Sequence, residues 1–68
     1  MKIGERYNVS IFQHGGKPLQ KPIVFIGECF NIEPTYVEFI DIRTQRVRLV
    51  YTSSVYTSTP IESISISA

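Results

Sequence analysis

One cysteine, one histidine and no tryptophan occur in these 68 residues, and each scarcity excludes something. With Cys29 alone, no internal disulfide can staple the fold, whereas secreted proteins of this size usually carry several. A reducing compartment fits better, and Cys29 is expected to be a small buried apolar residue rather than a nucleophile. With His14 alone, no structural zinc site can be assembled within the chain, because no second ligand of either type is available. Nucleophilic catalysis fails on the same shortage, since a serine or cysteine needs a base and a group to orient that base. Gly15-Gly16-Lys17 lacks the spacing of a phosphate-binding loop and opens no helix. Glu28 and Glu38 are expected to be solvated charges on neighbouring strands. No catalytic, metal-binding or cofactor-binding residue is therefore assigned, and the chain is read as a non-enzyme without cofactors.

Long apolar runs are missing too. The longest, Ile23 to Ile26, falls far short of the roughly 20 residues a membrane span needs, and Met1 to Arg6 lacks the apolar stretch of a signal peptide. The expectation is a cytoplasmic protein with no membrane partner. An excess of one charge is also absent: seven basic and six acidic residues give +1, far from the balance of a strongly basic nucleic-acid binder.

What is present is a hydrophobic content of 43%, carried mostly by Ile, Val, Tyr and Phe. That argues against disorder and for β-structure. A chain this short buries only about 60% of its unfolded surface, so residues 1–68 are read as a single domain without room for an enclosed pocket. Turn residues recur every 8 to 12 positions or so, the rhythm of short strands.

Residues 6 to 13 alternate as a first strand, with Tyr7, Val9 and Ile11 inward and Phe12 outward. His14 to Pro22 reads as a loop, because Gly15-Gly16 permits positive φ while Pro18 and Pro22 remove ladder donors. Ile23 to Ile32 is a second strand with Gly27 at a bend, Asn31 to Thr35 a turn, and Tyr36 to Arg43 a third strand. Thr44-Gln45 leads to a fourth strand in which Val47, Leu49 and Tyr51 are expected to face the core and Arg46 and Arg48 the solvent. Ser53 to Thr59 is expected to extend that strand before turning. Pro60 to Ser63 is a short helical turn, and Ile64 and Ile66 mark a last short strand.

Five strands with one sharp bend predict an all-β fold: a small, strongly bent antiparallel sheet closing into a barrel, which removes exposed edges. The opening Ile3-Gly4-Glu5-Arg6-Tyr7-Asn8-Val9 and the ending Pro60-Ile61-Glu62-Ser63-Ile64 resemble the first strand and last turn of SH3-like barrels. Val9-Ser10-Ile11-Phe12 followed by Lys17-Pro18-Leu19-Gln20 is similar to the first hairpin of the bacterial Sm-like RNA chaperones. That family's N-terminal helix has no counterpart here. Val50-Tyr51-Thr52-Ser53 also lacks the Lys-His pair expected after the tyrosine of its RNA-contacting strand. The likeness implies an architecture and transfers no site.

Two functions follow as expectations. The first is a protein-binding module, either an accessory subunit, an inhibitor or a self-assembling homo-oligomer. Phe12, Lys17, Leu19, Tyr36 and Tyr56 would be its partner-binding residues, because its aromatic and apolar members exceed a simple inward alternation. The second is binding of RNA or single-stranded DNA, with Arg43, Arg46 and Arg48 on phosphates and Tyr51 among the stacking tyrosines. Glu28, Glu33, Glu38 and Asp41 would interrupt that cationic surface.

Overall fold

The computed structural model of the chain describes residues 1–61. It contains β1 (Arg6–His14), β2 (Lys17–Ile32), β3 (Tyr36–Asp41), β4 (Val47–Tyr51) and β5 (Tyr56–Pro60). All pairings are antiparallel, in one sheet of order β4-β3-β2-β1-β5. The expected last strand around Ile64 and Ile66, and the Glu62-Ser63 part of the expected helical turn, lie outside the described residues. Pro60 itself ends β5, so the fifth strand sits at Tyr56–Pro60, where an extension of the fourth was expected.

The expected loop from His14 to Pro22 is instead a two-residue hairpin turn and the start of β2. Gly15 and Gly16 have φ of 61° and 80°. Positive φ at both central residues is the turn whose twist matches the flanking strands. Pro18 and Pro22 are tolerated because β3 pairs only with Gly27 to Ile32, leaving this part of β2 unflanked on its β3 side. The β1–β2 register slips between Ile11 and Gln13, which face Ile23 and Pro18.

β2 serves both halves of the sheet, pairing with β1 as far as Glu28 and with β3 from Gly27 onward. The strand bends where these pairings overlap. A bulge at Phe30 follows, between the pairs Cys29/Phe39 and Asn31/Glu38. Gly27 is required at the bend for space: a Cβ there would lie 2.8 Å from both Phe25 Cε2 and Phe39 Cβ.

The inner face holds Tyr7, Val9, Ile11, Phe25, Cys29, Val37, Phe39 and Val50, with Leu19 and Tyr56 packed against them. Phe39 is central, its ring edge-on to Phe25 at 5.7 Å and to Tyr7 at 6.4 Å. Cys29 is fully buried, and that burial pushes its thiol pKa up, which disfavours the reactive thiolate.

β4 and β5 are the two edges of the sheet, yet only Thr52 to Val55 connect them. A flat sheet of five strands would hold its edges about 19 Å apart. The connection is too compact for that, because the Ser54 N–H turns back to the Tyr51 carbonyl at 3.0 Å. The sheet is therefore curled, and the His14 ring reaches the Tyr51 ring at 5.9 Å across the curl. Among the described residues no ladder joins β4 to β5, so the pairing stops short of closure.

Candidate functional site

The sites read from the sequence do not assemble as one. Phe12 is exposed and Lys17 lies beside the hairpin tip, both open to solvent. Leu19 and Tyr56 pack on the core instead, and Tyr36 is half-buried opposite Tyr51. Arg43 and Arg46 are exposed at the β3–β4 turn, and Tyr51 is exposed under His14.

The expected faces of β4 are reversed. Val50 is 1% exposed and faces the core, whereas Leu49 is 39% and Val47 57% exposed on the outer side. Arg48 shares the inner side with Val50, its guanidinium 5.1 Å from the Phe25 ring centre and its Nε donating to Asp41 Oδ2 at 2.9 Å. Asp41 is not a surface charge either, at 2% exposure.

The Asp41 carboxylate organises the β3–β4 turn. Its Oδ1 accepts from the backbone N–H groups of Arg43 at 2.9 Å and Thr44 at 3.3 Å. The turn closes through Gln45, at φ 62°, whose N–H reaches the Asp41 carbonyl. The Arg48 hydrogen bond is the main cause holding the carboxyl below the usual aspartate value of 3.8; the two N–H groups add to it and burial opposes it. This stabilisation is complete above 3.8 and is lost as pH falls through the lowered folded value. Asp41→Asn is accordingly expected to be less stable than the parent at neutral pH, with the gap closing in acid below that value. Urea melts at neutral pH and in strong acid check this; a gap independent of pH would show that the carboxylate charge contributes nothing.

With Arg48 committed to Asp41 and Phe25, the hairpin offers, among the described residues, two guanidinium groups without an ion pair rather than three. The Nε of Arg6 lies 3.7 Å from Glu28 Oε1, an exposed pair worth little. Asn31 Nδ2 donates to Glu38 Oε1 at 2.9 Å, so each of the two glutamates has a partner of its own. Among the described residues no three of His, Cys, Asp and Glu come together to hold a metal.

What the sequence reading missed is the outer face of β2, β3 and β4. The registers place Thr57, Ser10 and Val24 in one row across the sheet, and Thr59, Asn8, Ile26 and Ile42 in the next. Arg6, Glu28, Ile40 and Val47 form a third, and Glu38 with Leu49 a fourth. The first row ends on the apolar Val24 of β2, the second runs from polar Thr59 and Asn8 to apolar Ile26 and Ile42, and the third turns apolar only at Ile40 and Val47. Val24, Ile26, Val47 and Leu49 are each more than a third exposed. An open groove of about 420 Å³ is lined in part by Val24, Phe25, Ile26, Ile42 and Arg43. The signal was present as apolar residues on both sides of β3 and β4, but choosing the wet side needs the partner strands. In comparisons with known proteins, no family model, no curated protein and no solved structure matches the chain.

Proposed function

We propose that the chain is a non-catalytic protein-binding module whose docking surface is the apolar half of the outer sheet face. One observation carries this reading: Val24 and Ile26 on β2 and Val47 and Leu49 on β4 are exposed on the outer face to either side of the half-buried Ile40 and Ile42, while the β1–β5 half of the same face is polar. Contiguous exposed apolar patches rimmed by polar residues mark interaction sites on soluble domains. Arg43 and Arg46, exposed at the adjoining turn, favour a protein surface that combines apolar side chains with carboxylates at its rim. The scaffold is read as an SH3-like barrel, which the short β4–β5 connection supports.

The test is affinity capture from the native host after nuclease treatment, comparing the parent with Val24→Arg and Thr59→Arg. A nuclease-resistant protein partner should survive Thr59→Arg, on the polar half, and be lost with Val24→Arg while both variants stay folded. A partner released by nuclease, or indifferent to Val24→Arg, would overturn the reading.

A further inference from the structure

The free edge of β4 has its own chemistry, and the hydrogen bonds around it define which groups are unspent. The Asp41 N–H donates to the Arg46 carbonyl at 2.8 Å, and the Thr52 N–H to the Thr35 carbonyl at 2.9 Å. Both bonds belong to the β3–β4 register, in which hydrogen-bonded and non-bonded pairs alternate. Arg48 and Val50 therefore spend their backbone groups on Phe39 and Val37. Val47, Leu49 and Tyr51 aim theirs away from β3. Among the described residues no backbone group pairs with the N–H and C=O of Val47 and Leu49 or with the Tyr51 N–H; the Tyr51 carbonyl takes only the Ser54 N–H.

We infer that a second copy of this chain pairs here, β4 against β4 antiparallel, with the two-fold axis at Leu49. In that register Leu49 faces Leu49 of the second copy and Val47 faces Tyr51, so every unspent N–H and C=O finds a partner. The Tyr51 carbonyl accepts a second bond with its remaining lone pair. A register shifted by one pairing step leaves one of the three residues unpaired at each end. The side chains agree with the backbone: Val47 against Tyr51 is a favourable β-branched–aromatic pair, and Leu49 meets Leu49 on the same outer face. Charge agrees as well, because Arg46 faces Thr52 and Arg48 faces Val50, so no cation meets its copy.

The other edge is the poorer template. The Ile61 N–H donates to the Arg6 carbonyl and the Phe12 N–H to the Val55 carbonyl, so the unspent groups of β5 belong to Tyr56, Ser58 and Pro60. Pro60 has no N–H to give, a device that blunts edges. β4 carries none. The pairing goes beyond the docking face because it is made by strand backbone, and it joins the apolar halves of two copies into one surface. Five residues a side bury less than the roughly 1,200 Å² of a standard interface, so the dimer is weak and concentration-dependent.

Sedimentation velocity on the full chain, from about 10 μM to about 1 mM, tests it across the range where weak pairs form. The parent mass should rise from 7.8 kDa toward twice that value and stop there. Leu49→Arg sets two guanidinium groups face to face and should remain monomeric with an unchanged circular dichroism spectrum. Val24→Arg should dimerise like the parent. Leu49→Cys should be trapped as a disulfide dimer under mild oxidation, because Cα atoms in a hydrogen-bonded pair lie about 5.5 Å apart, within disulfide reach. Val47→Cys, facing Tyr51, should not. A parent that stays monomeric, grows past the dimer, or loses association equally in Val24→Arg overturns the pairing. A monomeric parent that still holds its nuclease-resistant partner overturns the pairing and leaves the docking face standing.

Discussion

Phe39→Ala is expected to remove a large part of the domain's stability. Phe39 is the largest fully buried side chain, and its ring meets both Phe25 and Tyr7 edge-on. Truncating such a side chain costs about 3 to 5 kcal/mol, because the cavity left behind only partly collapses. A domain of this length has a total stability of roughly 3 to 10 kcal/mol at the usual value per residue. The loss therefore removes about half or more of the stability at the middle of that range, and all of it at the low end. The urea midpoint followed by far-ultraviolet circular dichroism is the measurement, with Phe39→Leu expected to retain most of the parent value. A midpoint for Phe39→Ala close to the parent's would place the centre of the core elsewhere.

Gly27→Ala is the second, and its cost has the opposite origin: too much matter rather than too little. The new methyl group would stand 2.8 Å from Phe39 Cβ, an atom fixed to the backbone of the adjoining strand. Phe25 Cε2 lies at the same distance, but a ring can tilt. Relief therefore requires β2 and β3 to separate at the bend, and overpacking of this kind costs about 1 to 3 kcal/mol. A thermal melt should show the loss. Gly27→Ala combined with Phe25→Leu should still be less stable than Phe25→Leu alone, because the Phe39 clash remains. If the double variant matches Phe25→Leu, the ring was the only obstacle and the bend is looser than described.

Much of the fold was legible because one-sided burial writes itself as alternation. β1 is the clearest case: Tyr7, Val9 and Ile11 face the core, and their neighbours are polar up to Phe12. β3 was legible in its start at Tyr36, although it ends at Asp41 and not at Arg43 because the Asp41 carboxylate turns the chain there, and Cys29 was legible in its burial. β4 misled because both of its faces carry apolar residues. Nothing within Val47 to Tyr51 says that Arg48 points inward; the reason is Asp41, seven residues earlier and across a turn. The segment from His14 to Pro22 misled for another reason. Its prolines argue against a strand in the middle of a sheet, and only the tertiary arrangement shows that this stretch of β2 has no β3 beside it. The apolar outer face was hidden by the same limitation, since its rows are formed by registers between strands and not by spacing along any one of them.

The hairpin tip also says something about handedness. At Gly15 and Gly16 a Cβ would meet nothing within 4 Å, so the constraint on these positions is one of backbone angle and not of room. Their φ of 61° and 80° belongs to the half of conformational space that L-residues avoid and their mirror images prefer. A D-amino acid at either position would find that φ in its own favoured region. It would also have fewer unfolded conformations to give up than glycine does. The tip is thus a place where the protein uses glycine as a stand-in for the opposite chirality, and where a chemically synthesised chain can replace that stand-in with the residue it imitates.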